Sequence, residues 1–321
     1  MVLRKTHQGS SISKSITGVV LFFILLGIFV ATVTMIVCLL LYGLSFDNSG
    51  SKAETSTNNN IVEIDDTTEQ IETETFDLIN FQPIVDSFVE ETAGRKSVVI
   101  YDLENSDFVG EYNIEEDYNT ASLYKLFVVY EGYRRIQNGI WNAEDIAPGT
   151  GQSILVCLDL AIRESNSNCA ESLWSMIGHA ELDEIIQNDY NIKRSNISTL
   201  TSNAKDILMI MKMFYDHTDI TDENLIEIMK DSFLNQPITA YDWRQGLPSG
   251  FTHANVYNKV GWDYNPDGQY WNIYHDAAIV DFAEERRHYI IVVMTERIPF
   301  QKITSFGRMF EEAFDQYVLK N

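Results

Sequence analysis

Between Thr17 and Phe46 the chain carries no charged residue and is almost wholly apolar, with GVVLFFILLGIFVATVTMIVCLLLYGL filling most of the stretch. This exceeds the ~20 residues an α-helix needs to cross the hydrocarbon of a bilayer. Backbone groups in lipid have no water to bond and must bond to one another, which a helix achieves within itself. Residues 17–46 therefore read as a transmembrane helix. A core helix this apolar on every side would need protein packed all round it. A signal-peptide core is shorter and ends in a small-x-small cleavage site, which is absent here. Arg4, Lys5 and Lys14 precede the run and residues 1–16 hold no acid. A basic flank stays in the cytoplasm, so 1–16 reads as a cytoplasmic tail and everything after the helix as extracytoplasmic.

Residues 47–76 (DNSGSKAETSTNNNIVEIDDTTEQIETETF) are polar and acidic. They hold too little apolar surface to offset the entropy of ordering and read as a flexible linker. A single folded domain, 77–321, follows. The formal net charge of −24 (47 Asp and Glu against 23 Lys and Arg) excludes a nucleic-acid binder, which needs a basic footprint to displace counterions. Of the three cysteines, Cys38 lies in the apolar run, which leaves Cys157 and Cys169 to the domain. With no Cys-x-x-Cys or His-x-x-x-His spacing, a structural zinc site is not expected. Nothing in the sequence implies another metal or an organic cofactor.

Within the domain, DLINFQPIVDSFVEETAG reads as an amphipathic helix ending at Gly94. KSVVIYDLE and DFVGEYN follow as strands joined by a turn at Asn105-Ser106. Residues 120–137 look helical and close on Asn138-Gly139. Helical stretches at 153–164, 168–178, 180–189 and 202–216 come next. NVYNKVGW, WNIYHDAAIVDF and HYIIVVMTE then read as strands, and a last helix runs through Phe310 and Tyr317. Helices set between two groups of strands joined by short turns predict an α+β fold, an antiparallel sheet with helices packed on it.

Three elements carry chemistry. In Ser122-Leu-Tyr-Lys125, helical spacing puts a lysine amine beside a serine hydroxyl. A desolvated neutral lysine can take the proton that keeps that hydroxyl unreactive. The pattern recurs at Ser11–Lys14, next to the membrane run, and at Ser202–Lys205, where an ordinary helix is expected to start. Ser122 is distinguished by Ser165-Asn166-Ser167 downstream at a helix junction and by Lys259-Val260-Gly261 within a strand. In order and setting these resemble the Ser-x-x-Lys, Ser-x-Asn and Lys-Thr/Ser-Gly elements of the serine β-lactamase and penicillin-binding protein superfamily, class A β-lactamases in particular. TASLYKLFVVYEGYRRI, SNSNCAESLWSMIG and LPSGFTHANVYNKVGW resemble the segments around those elements.

The resemblance implies that Ser122 is the nucleophile, Lys125 its base, Ser165 a proton relay and Lys259 a cation for a substrate carboxylate. It further implies an oxyanion hole from the N–H groups of Ser122 and Trp262, and substrate contacts at Ser167, Val260 and Gly261. Three departures stand out. Ser167 occupies the usual Asn position, and Val260 replaces a hydroxyl residue. The stretch YNIKRSNISTLTSNAKD, where class A enzymes carry a water-activating Glu, has only Asp206 as an acid. An acyl-enzyme formed from a β-lactam is therefore expected to persist. Cys157 and Cys169 flank Ser165 and could be either bonded or two buried thiols. His275 and Asp276, adjacent on a strand, face opposite sides and cannot both line one pocket.

These readings imply an extracytoplasmic serine hydrolase or acyltransferase on a peptide, amide or ester related to the cell wall. A class A-like β-lactamase and a non-catalytic binding module that keeps the fold are the alternatives. If 17–46 is the anchor, deleting residues 1–46 is expected to convert a membrane-bound protein into a soluble, folded one. Recovery of that fragment only as insoluble or unfolded material would contradict the reading.

Overall fold

Five antiparallel strands in the order β2-β1-β7-β6-β5 form the sheet on which the domain is built. The computed structural model describes residues 76–234, 245–263 and 272–320. The apolar run 17–46, the basic tail and the linker up to residue 75 lie outside the described residues. Among those that are described, no helix is long and apolar enough to cross a membrane.

Strands β1 (Arg95–Asp102) and β2 (Asp107–Tyr112) make the early hairpin, its turn passing through Ser106 with φ 53°. β3 (Tyr118–Asn119) pairs separately with β4 (Thr201–Ser202). The late strands β5 (Asn255–Asp263), β6 (Ile273–Phe282) and β7 (Arg287–Glu296) form a meander, and β7 closes on β1. Between the two strand groups come six helices: α2 (Tyr124–Gln137), α3 (Ile154–Arg163), α4 (Ser167–Ile177), α5 (His179–Asn188), α6 (Ala204–Asp216) and α7 (Glu223–Leu234). Helix α1 (Gln82–Glu91) precedes the sheet and α8 (Phe300–Val318) ends the chain.

Strand alternation sorts the apolar residues into two cores. Val98, Ile100, Val280, Ile291 and Val293 face α1 and α8, where Phe81, Phe306, Phe310 and Phe314 meet them. Val99, Ala277, Ile279, Ile290, Val292 and Met294 face the helices α2–α7. Both faces are covered, so the late strands read as continuous apolar runs without polar alternation.

Two elements differ from the sequence reading. The first helix starts at Gln82, not near Asp77: Pro83 occupies its first turn and the Asn80 side chain accepts from the Gln82 N–H at 3.0 Å. It stops at Glu91, leaving Gly94 at φ 121°, where a Cβ would lie 2.6 Å from the Glu296 carbonyl. Helix α7 was not expected at all. Its start is marked by Asp222, whose carboxylate accepts from the Asn224 and Leu225 N–H groups.

Helix α2, which follows the nucleophile turn, is the buried centre of the domain: every residue from Tyr124 to Tyr133 is inaccessible or nearly so. Glu131 survives there because Arg134 Nε, Arg135 Nε and Tyr190 Oη each donate to its carboxylate at 2.7 Å.

Candidate active site

Ser122 lies in a 3₁₀ turn, Ala121–Leu123, that leads directly into α2. Lys125, one helical turn on, has no exposed surface, and its Nζ lies 3.2 Å from Ser122 Oγ. The same amine donates to the Ser165 carbonyl (2.5 Å) and contacts Ser165 Oγ (3.2 Å) and Ser167 Oγ (3.1 Å). Lys259, on β5, reaches Ser165 Oγ from the other side at 2.9 Å and the Val260 carbonyl at 2.8 Å. Three sequence elements thus converge on one pair of amines, with Ser165 shared between them. Ser167 takes a contact to Lys125 in place of the usual amide.

Burial sets the charge of both amines. It pushes Lys125 down from 10.5 to about 8, against the smaller upward pull of Glu171. Lys259 is held well below the ordinary lysine value, first by burial and then by the nearby Lys125. At neutral pH, keeping Lys125 in this site costs on the order of 3 kcal/mol of folding stability.

Local strain and crowding position the groups. Ala121 (φ 43°), just before the nucleophile, and Ser165 (φ 54°) occupy the left-handed region that non-glycine residues rarely adopt. The Ser165 segment is tied on both sides by a disulfide between Cys157 of α3 and Cys169 of α4, their Cα atoms 4.8 Å apart. This settles in favour of a bond the choice that the sequence left open. Asn166 caps α4 by accepting from the Cys169 N–H at 3.0 Å. At Gly261 a Cβ would meet the Thr120 carbonyl at 2.7 Å and Leu123 Cγ at 2.9 Å. The crowding that demands glycine there thus comes from the nucleophile turn itself.

Val260 does not fit a substrate contact through its side chain. Alternation turns it away from Lys259 and Gly261, and it is buried in the core beneath α8. Its carbonyl, by contrast, faces the Lys259 amine. Along an extended strand every second residue presents its N–H and C=O to the same side, so Trp262 N–H shares that edge with the Val260 carbonyl.

His275 and Asp276 both have structural work, on opposite faces of β6. Thr295 N–H donates to His275 Nδ1 at 2.9 Å, which leaves Nε2 as the protonated nitrogen, donating to the Asn119 carbonyl at 2.8 Å. Burial holds this ring neutral, pushing it down to about 4. Asp276 accepts from the Leu247 N–H (2.7 Å) and Asn258 Nδ2 (2.9 Å). Ser202 and Lys205 are likewise accounted for: Ser202 bonds Ser195 Oγ, and Lys205 pairs with Glu115 at 2.8 Å. Asp206 is occupied by Ser195 Oγ and the Arg194 N–H.

The sequence did not single out Tyr124 or Glu171. Glu171 sits one turn after Ser167 on α4 and accepts from Tyr124 Oη at 2.6 Å, beside Lys125. It is exposed. Among the described residues no group of His, Cys, Asp and Glu is placed to hold a metal ion.

A family model described as the beta-lactamase enzyme family matches residues 80–308. The chain belongs to that family. No curated sequence matches it. Among solved structures it is similar to PBP-A, with 16% identity over 73% of this chain and 96% of that one and a TM-score of 0.61. A mutant of PBP-A is also solved, as an acyl-enzyme complex with penicillin G. A beta-lactamase from Chitinophaga pinensis matches at 16% identity over 72% of this chain and 97% of that one, TM-score 0.62. An ancestral class A beta-lactamase matches at 15% identity over 73% and 99%, TM-score 0.62. At these identities the likeness establishes the shared fold of this beta-lactamase family member.

Gly261→Ala is expected to displace the nucleophile turn and slow acylation of Ser122 about 100-fold with the fold retained, since a 1 Å misplacement can cost that much. Stopped-flow acylation alongside circular dichroism checks it; an unchanged rate in a folded variant would mean the strand-to-turn approach does not position Ser122.

Proposed function

We propose that this chain is a membrane-anchored, extracytoplasmic serine hydrolase or acyltransferase that forms an acyl-enzyme at Ser122. Its substrate is a peptide, amide or ester related to the cell wall. The observation that carries the reading is the buried Lys125 amine, 3.2 Å from Ser122 Oγ and enclosed by Ser165 and Ser167. A binding module has no use for a desolvated base beside a hydroxyl. The anchor rests on the apolar run 17–46 and its basic flank.

In this mechanism neutral Lys125 takes the Ser122 proton as Oγ attacks the carbonyl carbon. The N–H groups of Ser122 and Trp262 stabilise the oxyanion. Ser165, in contact with both amines, passes a proton to the departing nitrogen or oxygen. Lys259 draws in a substrate carboxylate and disfavours a second charge on Lys125.

Water must then resolve the acyl-enzyme. The segment between α5 and β4 contains no Glu, as expected, and its neighbour Asp206 is held by Ser195 and Arg194. Glu171 is the acid whose field acts on Lys125, and Tyr124 holds one of its oxygens. In this reading Glu171, not a loop residue, takes the water proton.

Intact-mass spectrometry after brief exposure to a β-lactam and to an activated ester tests the first step. An adduct mapped to Ser122 and absent from Ser122→Ala is expected. No adduct from any acyl donor in a folded sample would shift the reading to a binding module. Lys125 works only when deprotonated, so the acylation rate is expected to rise about tenfold per pH unit below about 8 and flatten above it. A rate flat from pH 6 to 9 would exclude Lys125 as the base.

Glu171→Gln is expected to lengthen the acyl-enzyme lifetime 100-fold or more while acylation changes only a few-fold. A lifetime equal to the parent's would remove Glu171 from deacylation and leave the Ser122 assignment intact.

A further inference from the structure

A cavity of about 120 Å³ lies away from Ser122, where the C-terminal end of α6 and one side of α7 meet the far end of the late strands. Phe214, Phe233, Met229, Tyr257 and Ile279 form its apolar walls. Folded interiors leave few voids, and this one is close in size to the ~150 Å³ apolar cavity that takes a benzene ring.

Its walls also contain polar atoms without partners. His217 Nδ1 and Asp281 Oδ1 line the cavity, are buried, and make no hydrogen bond within the protein. A buried polar atom left without a hydrogen bond costs stability and calls for an explanation. The surrounding charges are nearly balanced. His288 contacts Asp281 Oδ1 at 3.2 Å but hydrogen-bonds Glu104 at 2.6 Å, which raises its affinity for a proton. Burial keeps His217 toward its neutral form, and Lys230 is exposed at the rim. A strongly charged ligand gains little from such a lining. A neutral ring offering one N–H or O–H to Asp281 gains both apolar contact and the missing hydrogen bond.

We propose that this cavity is a binding site for a neutral single-ring aromatic compound carrying one hydrogen-bond donor, of the phenol class. The ring sits among Phe214, Phe233 and Tyr257, and its donor meets Asp281. The site does not depend on the chemistry proposed for Ser122. It does share strand β5 with it, because Tyr257 and Lys259 are two residues apart on the same face.

Calorimetric titration of the full-length chain in detergent with phenol, and separately with toluene, tests this directly. One saturable phenol site is expected, at least tenfold tighter than toluene. Met229→Trp, which fills the cavity, is expected to weaken phenol binding at least tenfold with the melting temperature unchanged or raised. Asp281→Asn is expected to narrow the difference between phenol and toluene. Absence of saturable phenol binding, or equal binding by Met229→Trp, would overturn the site. Toluene binding as tightly as phenol would overturn the assigned role of Asp281.

Discussion

Two buried amines meet over a single serine hydroxyl, and much of the domain is arranged around the cost of putting them there. Neither Lys125 nor Lys259 has a carboxylate in contact, though Glu171 and Asp276 act on them from farther off. Burial is what makes Lys125 a base near neutral pH, and the same burial works against folding. The enclosure must therefore be stiff, since any loosening that admitted water would restore the amine's ordinary charge. Stiffness comes from several sources at once: the disulfide across the Ser165 segment, the buried centre of α2, and the close approach of Gly261 to Thr120. His275 adds a neutral strut, fixed between the Thr295 N–H and the Asn119 carbonyl just ahead of the nucleophile turn.

The same view explains where strain is tolerated. Ala121 and Ser165 both hold positive φ angles without being glycine, and they stand on either side of Lys125. A strained residue persists only where its surroundings over-determine it. Ala121 is held by the Asn119 side chain, which accepts from its N–H at 2.8 Å, and Ser165 is held by the Lys125 amine on its carbonyl. The two unfavourable backbones thus sit beside the group that most needs a fixed geometry.

Much of this was legible in the residues. Ser122, Lys125, Ser165 and Lys259 were found by spacing and order, because a helix places i and i+3 on one face wherever it occurs. Ser167 was placed correctly because only one register keeps a serine at the head of its triplet. Strand positions followed from apolar runs, but their faces did not: Val260 was read as a substrate contact because a motif names consecutive residues, whereas a pleated strand sends alternate ones to opposite sides. Tyr124 and Glu171 were missed for a different reason. Each belongs to a helix whose boundaries were read well, yet their meeting depends on how α2 and α4 are turned toward each other, which neither helix encodes alone. Helix α7 carried its own signals, Asp222 as a cap and Leu225, Met229 and Phe233 at helical spacing. The disulfide needed a distance that no spacing supplies.

Strand order has a consequence for how the chain comes to life. β1 pairs with β7, and Ser122, Ser165 and Lys259 are brought together from distant parts of the chain. Contacts of such long sequence separation form late, after their loop-closure entropy has been met. Until β5 and β7 dock, nothing desolvates Lys125, and its amine keeps the charge it has in water. Ser122 is then an ordinary alcohol. A partly synthesised or partly folded chain is in this sense latent, and the serine becomes a nucleophile only once the last strands have closed the sheet.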